Sequence, residues 1–313
     1  MCKGKVMIQC GDCIERMAAM ETDSVDLVFS SPPYEDARTY GIDFGLREQA
    51  WVDWMVRVIT ESVRVCTGLV AFVVEGKTRK FRWSATPALL MADLHRAGVY
   101  LRKPPAFCRV GIPGSGGPDW LRNDYEFVIC CTSGGRLPWS DNTACGHPPK
   151  WAPGGEMSHR LTDGTRRNKW GRTLGSAVGA RKKDGTRDSW RTPSETQRQN
   201  GRKGNAGYDA PTKANPGNVI KCNVGGGHMG SALACENEAP FPEKLAECFV
   251  RSFCPPDGVA LDPFSGSGTT AAVAVREGRR AIAIDIRQSQ CELTARRVAE
   301  VEKEMKQCLF MSG

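Results

Sequence analysis

VALDPFSGSGTTAAVAVREGRRAIAIDI, residues 259–286, decides the fold. VALD (259–262) is a short apolar run ending on an acid, and AIAIDI (281–286) is a second such run. Between them, a turn carrying Gly266 and Gly268 leads into TTAAVAVREG, which suits a helix. The glycines let the chain turn tightly with its backbone close to a ligand. Asp285 falls where a ribose diol would be held. The spacing Gly266-x-Gly268-x-x-Ala271, with Asp285 nineteen residues after Gly266, also satisfies a loose dinucleotide fingerprint, so the loop by itself is compatible with NAD. Asp262 argues otherwise: an acid ending the strand suits a cationic or amine-bearing ligand and would repel a pyrophosphate.

The same alternation continues outward. VMIQC (6–10), VDLVFS (25–30), GLVAFVVE (68–75) and DYEFVICCTS (124–133) read as strands. Helices are expected over CIERMAAM, over residues 47–65 with Trp51, Trp54, Met55, Val58 and Ile59 at helical spacing, and after Thr86-Pro87. FPEKLAECFVRSF and QSQCELTARRVAEVEKEMK complete the set. The expected fold class is α/β, a doubly wound and mostly parallel Rossmann-like sheet that binds ligands at the carboxyl ends of its strands.

Length and composition bound the rest. The chain has 313 residues, 40% hydrophobic and 25% charged, enough for one large domain with an insert or for two domains. No run nears the roughly 18 apolar residues of a membrane span. The opening MCKGKVMIQCGDC lacks the apolar stretch of a secretory signal, so neither a membrane protein nor a secreted factor is expected. The 14 cysteines read as reduced thiols that pack as small hydrophobes, as at Cys66, Cys130, Cys131 and Cys248. Cys145, His147, Cys222, His228 and Cys235 lack paired zinc-type spacing, and no metal site is expected.

Charge is concentrated in one segment. Residues 150–221 hold 16 Lys and Arg against 6 Asp and Glu, a local +10 that leaves −2 on the other 241 residues. This segment is poor in large aliphatics, and Trp151, Trp170 and Trp190 alternate with basic clusters. It builds little core but suits phosphate neutralisation and stacking on bases. The candidate nucleic-acid contacts are Arg166, Arg167, Lys169, Arg181, Lys182, Lys183 and Arg187. A shorter basic run, Lys77, Arg79, Lys80 and Arg82, follows a strand end and is read equally as a phosphate contact or a solvated face.

A second loop carries chemistry. SSPPYEDARTYG (30–41) follows the strand VDLVFS directly. Its prolines fix an extended turn and remove two donors, leaving carbonyls to accept hydrogen bonds. Ser31 and a proline carbonyl would accept from an amino group while Tyr34 stacks on a planar ring. Glu35 and Asp36, beside them, are expected to be solvated, and Arg38 and Tyr40 to touch DNA or cap the loop.

SPPY together with DPFSGSGTT resembles the DNA amino-methyltransferases, which move a methyl group from S-adenosylmethionine to an exocyclic base nitrogen. GDCIERM (11–17), NEAPFPEKLAE (237–247) and DYEFVICC also resemble segments of that family, so the likeness spans nearly all of the chain outside 134–222. The order, SPPY first, then the basic insert, then the glycine loop, resembles its permuted beta group. The resemblance implies a catalytic half at 1–133, a basic target-recognition insert at 134–222 and a cofactor-binding half at 223–313. It implies catalysis by Ser31, Pro32, Pro33 and Tyr34, on a base that has left the duplex. It places S-adenosylmethionine against Asp12, Phe241, Pro242, Asp262, Pro263, Phe264, Gly266, Gly268, Thr269 and Asp285. Ser at the first SPPY position is typical of cytosine-N4 enzymes and Asp or Asn of adenine-N6 enzymes, so cytosine N4 is expected, with adenine N6 as the alternative. Attack at cytosine C5 needs a thiol, usually in a Pro-Cys loop, and the chain contains no Pro-Cys. The implied partner is double-stranded DNA, in a prokaryotic or phage-encoded cytoplasmic protein; the resemblance is to often-dimeric relatives, and monomer and homodimer both stay open. Two other readings stay open from sequence: an NAD-type oxidoreductase, which leaves SPPY and the insert unexplained, and an inactive nucleic-acid-binding module.

Overall fold

The computed structural model describes residues 5–36, 44–111, 118–148 and 213–311. The seven basic residues assigned to nucleic acid, with Arg38 and Tyr40, lie outside the described residues. The chain divides into two compact units, Met1–Cys145 with Gly217–Gly313, and Gly146–Pro216. Of the second, the described residues include an antiparallel bridge between His147 and Ala214.

In the first unit, β1 (Val6–Cys10), α1 (Cys13–Ala18), β2 (Val25–Ser30), α2 (Glu48–Val65) and β3 (Cys66–Val74) alternate as the sequence predicts. A two-stranded hairpin, β4 (Thr78–Arg79) and β5 (Arg82–Trp83), precedes α3 (Thr86–Arg96), and β6 (Tyr100–Arg102), β7 (Ala106–Val110) and β8 (Tyr125–Thr132) follow. After the second unit come β9 (Val219–Asn223), α4 (Glu243–Phe253), β10 (Val259–Asp262), α5 (Thr269–Arg276), β11 (Arg280–Asp285) and α6 (Gln288–Met311).

The main sheet runs β1-β11-β10-β2-β3-β8-β7-β9, with β6 on β8. The strands from β1 to β3 are parallel, whereas β8 is antiparallel to β3, β6 and β7. Three short strands, β6, β7 and β9, were not legible in the sequence. β9 crosses the 222/223 boundary and pairs in parallel with β7, its Ile220 and Cys222 packing on the core.

Both faces of the sheet are covered, which is why the central strands are continuous apolar runs. Alternate residues feed two cores. Leu27, Phe29, Leu69, Ala71 and Val73 meet α4, α5 and α6, while Val28, Val70, Phe72 and Val74 meet α1, α2 and α3. Phe29 and Phe72 are fully buried, each worth about 1.5–3 kcal/mol on transfer from water. Phe29 stacks on Phe249 of α4 at 4.6 Å and takes the edge of Phe241 at 5.5 Å. The segment leading into α4 is thereby fixed to the middle of the sheet.

The thiols behave as packing groups. Cys66, Cys130, Cys131, Cys222 and Cys254 are buried, Cys248 half-buried. Burial pushes the Cys66 and Cys131 thiols up to about 12.

Candidate active site

The sheet order brings together loops far apart in the chain. β2 and β10 are parallel neighbours, so the loop after Ser30 and the loop after Asp262 leave the same sheet edge side by side. They are clamped there: the buried Ser30 hydroxyl donates to Asp262 Oδ1 at 2.5 Å, and Thr270 Oγ1 donates to the Phe29 carbonyl at 3.2 Å. β11 ends beside them on Asp285, and Gly11, following β1, donates its amide to the Asp285 carbonyl at 2.9 Å. Four strand ends thus border one cavity of about 590 Å³, within the range of ligand sites.

Ser31, Pro32, Pro33 and Tyr34 all line this cavity. The tandem serines divide their work, since Ser30 is buried in the clamp and Ser31 reaches the wall. Trp51 of α2, fully buried, donates Nε1 to the Pro33 carbonyl at 2.9 Å. Tyr34 Oη donates to Glu126 Oε2 at 2.6 Å, and Glu126 Oε1 pairs with Arg109 at 3.0 Å. Glu126 and Arg109, on β8 and β7, also line the cavity. Sequence reasoning missed both, because nothing local in YEFVICCT or AFCRV separates them from ordinary strand residues.

The expectation that Glu35 and Asp36 are solvated is corrected. Glu35 is 4% exposed and accepts from the amides of Glu48 (2.9 Å) and Lys77 (3.0 Å) and from Thr86 Oγ1 (3.4 Å). Burial raises its affinity for a proton, but these bonds and one from Ser84 outweigh it and hold the carboxyl below its ordinary value. Three donors on separate elements converge where the turn folds inward, and no sequence spacing displays that convergence. Asp36 pairs with Arg47, Lys77 and Arg79, so half of the basic run answers an internal acid.

On the glycine-loop side, Pro263, Phe264, Gly266 and Asp285 line the cavity, together with Asp12, Phe241 and Pro242. Asp285 is 8% exposed and accepts from the Gly266 amide through Oδ2 and the Arg287 amide through Oδ1, both at 2.9 Å. Asp12 caps α1 through Oδ1, accepting from Ile14 (2.9 Å) and Glu15 (3.1 Å). Trp54 and Phe44 close the aromatic side, with Trp54 5.5 Å from Phe264.

Asp262, Gly268 and Thr269 stand behind the wall rather than in it. Gly268 has φ of +78°, and a Cβ there would meet the Thr294 Cα at 3.0 Å, so its lack of a side chain serves the packing of α6. Thr269 Oγ1 accepts from Arg297 at 2.9 Å. Arg297, 1% exposed, also donates to Ser267 Oγ and Glu243, and Glu243 pairs with Arg276 as well, so one buried ionic cluster braces the glycine loop from α4, α5 and α6. Asp262 is 1% exposed, and burial pushes its carboxyl up to about 6 despite the Ser30 bond. Its Oδ2 has no hydrogen-bond partner among the described residues.

Comparison with known proteins finds similarity along most of the chain. The orphan methyltransferase M.BamHII of Bacillus amyloliquefaciens is 27% identical over 291 residues, 88% of this chain and 89% of that protein. The structure of the PvuII DNA methyltransferase (cytosine-N4-specific) superposes with a TM-score of 0.61 at 18% identity, covering 94% of this chain and 86% of that one. That of a DNA modification methylase from Thermus thermophilus, complexed with S-adenosyl-L-methionine, gives 0.53 at 21% identity over 94% and 93%. The sequence profile of the N6/N4 DNA methylase family matches residues 25–296, and the chain belongs to that family.

Proposed function

We infer that this DNA methyltransferase uses S-adenosylmethionine and modifies the N4 amino group of cytosine in double-stranded DNA. The observation that carries the reading is the junction of the SPPY loop and the glycine loop at one cavity, clamped by Ser30 and Asp262. Ser31, in place of Asp or Asn, supports cytosine, as does the likeness to a cytosine-N4-specific enzyme.

The wall fits the cofactor. Asp285 offers carboxylate lone pairs beyond its two backbone bonds, suited to a ribose diol. Asp12 has Oδ2 left for the adenine edge, and Phe241 and Phe264 give apolar surface. Asp262, behind the wall, holds the two loops together through Ser30 and contributes no surface to the cavity. When bound, S-adenosylmethionine supplies an electrophilic methyl group.

The protein's own task is to make a poor nucleophile react. The amino lone pair of cytosine is delocalised into the ring. Ser31 Oγ and the Pro32 carbonyl accept from the amino hydrogens, which draws the nitrogen toward tetrahedral geometry and localises the lone pair. The Pro33 carbonyl is already held by Trp51, so it positions the loop. Tyr34, fixed through Glu126, presents its ring to the base, and positioning supplies much of the rate. Glu35 is fully engaged in holding the turn and takes no part in proton transfer.

In the same reading 134–222 is the target-recognition insert between a catalytic half (1–133) and a cofactor half (223–313), and the active form is a homodimer. The test is product analysis. The protein is incubated with labelled S-adenosylmethionine and unmethylated DNA, and the digested nucleosides are separated by chromatography before mass spectrometry. Label in N4-methylcytosine is expected. Label in N6-methyladenine overturns the base assignment and leaves the mechanism standing, and label in neither overturns the reading.

A further inference from the structure

The β4–β5 hairpin has no task in the chemistry above, yet it is built into the site's frame. It leaves the carboxyl end of β3, whose Val73 lines the cavity. Its base is fastened on two sides. Glu35, the neighbour of Tyr34, accepts the Lys77 amide, and Asp36 pairs with Lys77 and Arg79. Trp83 stacks on Phe127, the neighbour of Glu126, at 6.4 Å and 29°, and donates Nε1 to Glu75 at 3.0 Å.

The tip is unusual. Its two central residues, Lys80 and Phe81, have φ of +48° and +64°, a turn that ordinarily takes Asn-Gly. An aromatic residue is held there at a backbone cost, with 78% of its surface in solvent. Lys80 and Arg82 are exposed and make no ion pair among the described residues, unlike Lys77 and Arg79. A strained, solvent-facing ring between two cations without an ion pair among the described residues, on a hairpin fastened at its base beside the cavity, matches what an opened duplex presents. Phosphates need cations, and the gap left by an extruded base needs an apolar plane.

Resting on the reading that the target base leaves the duplex, we propose that Phe81 is the wedge entering the stack next to that base, with Lys80 and Arg82 on the flanking phosphates. The exposed Trp120 and Leu121, between β7 and β8, lie at the same sheet edge, but the described residues on either side of them, 118–124, form no strand. A wedge must resist being pushed back, which favours the hairpin.

The test uses the full chain and a duplex bearing a methylation site mapped by base-level analysis of DNA modified by the wild type. Single-turnover methylation is compared on the fully paired duplex and on one with an abasic nucleotide opposite the target, where extrusion is already eased. Phe81→Ala is expected to lose tenfold or more on the paired duplex and to regain most of it on the abasic one, with Phe81→Trp close to wild type. The double variant Lys80→Ala/Arg82→Ala should weaken binding to both duplexes equally and flatten the salt dependence. Equal loss by Phe81→Ala on both duplexes, or no loss, overturns the wedge, as does an abasic-rescued defect in Trp120→Ala instead. Wild-type protein that methylates neither duplex and no other DNA overturns the function itself, a result distinct from the failure of Phe81 alone.

Discussion

Replacing Glu126 by Gln tests whether Tyr34 is held in place by a partner on a different strand. Gln keeps the acceptor oxygen and the volume but removes the charge from a 2.6 Å bond. A hydrogen bond to a charged group contributes about 1.5–3 kcal/mol against about 0.5–1.5 for a neutral one, so the expected loss is about 1–1.5 kcal/mol. If the bond acts in the transition state, that is about a 5–13-fold fall in the methyl-transfer rate. The guanidinium of Arg109 loses its counter-charge too, but it is 27% exposed and solvent relieves part of the cost. The assay is single-turnover transfer from labelled S-adenosylmethionine to DNA, beside thermal melting and cofactor affinity. Tyr34→Phe should give a similar fall, and the double variant should be little worse than either, with cofactor affinity unchanged. If the two losses simply add, to within about 0.5 kcal/mol, Glu126 does not act through Tyr34 and the positioning argument fails.

Three further outcomes follow from buried groups. Trp51→Phe leaves the Pro33 carbonyl without its donor in a fully buried place; melting should report a loss of about 1–3 kcal/mol, and KM for DNA should rise as the SPPY loop loosens. Asp262, with its carboxyl near 6 when folded and about 3.9 when unfolded, binds more protons in the folded state between those values, so cofactor-free protein loses stability as pH rises through that window. The full effect is about 3 kcal/mol, measured as the difference between wild type and Asp262→Asn in melting from pH 4 to 7; no difference across that range would refute it. Gly268→Ala places a methyl against the Thr294 backbone at positive φ, and should lower the melting temperature and weaken cofactor binding together.

Much of this was legible because the strands that carry the site are central and parallel. A run such as VDLVFS or AIAIDI is apolar on both faces only where helices cover both, and its end points at ligands. The two loops could therefore be found from their glycines, prolines and acids alone. β6, β7 and β9 escaped because they lie toward an edge, where Tyr100, Val110 and Val219 stay exposed and no apolar run forms. Glu126 and Arg109 escaped because their role appears only in the contact with Tyr34, made from strands distant in sequence. Glu35 was misread because an acid after an aromatic in a turn gives no hint that amides from two other segments converge on it. The packing of Gly268 against α6 was not legible, since a glycine required by a helix and one required by a cofactor look alike in sequence.

The order of the halves in the chain matters less than their order in the sheet. The SPPY loop precedes the glycine loop by more than 200 residues, yet the buried Ser30 and Asp262 are hydrogen-bonded to each other. That contact follows from β2 and β10 being parallel neighbours, which aligns Leu27 with Ala260 and so brings both strands to end at one edge. Sheet order, not sequence order, therefore sets the junction. The first unit resumes at Gly217, and β9 then rejoins β7, remote in the strand order from β2 and β10. Phe29, packed between Phe241 and Phe249, holds the segment leading into α4 against β2 and so keeps the two loops in one register.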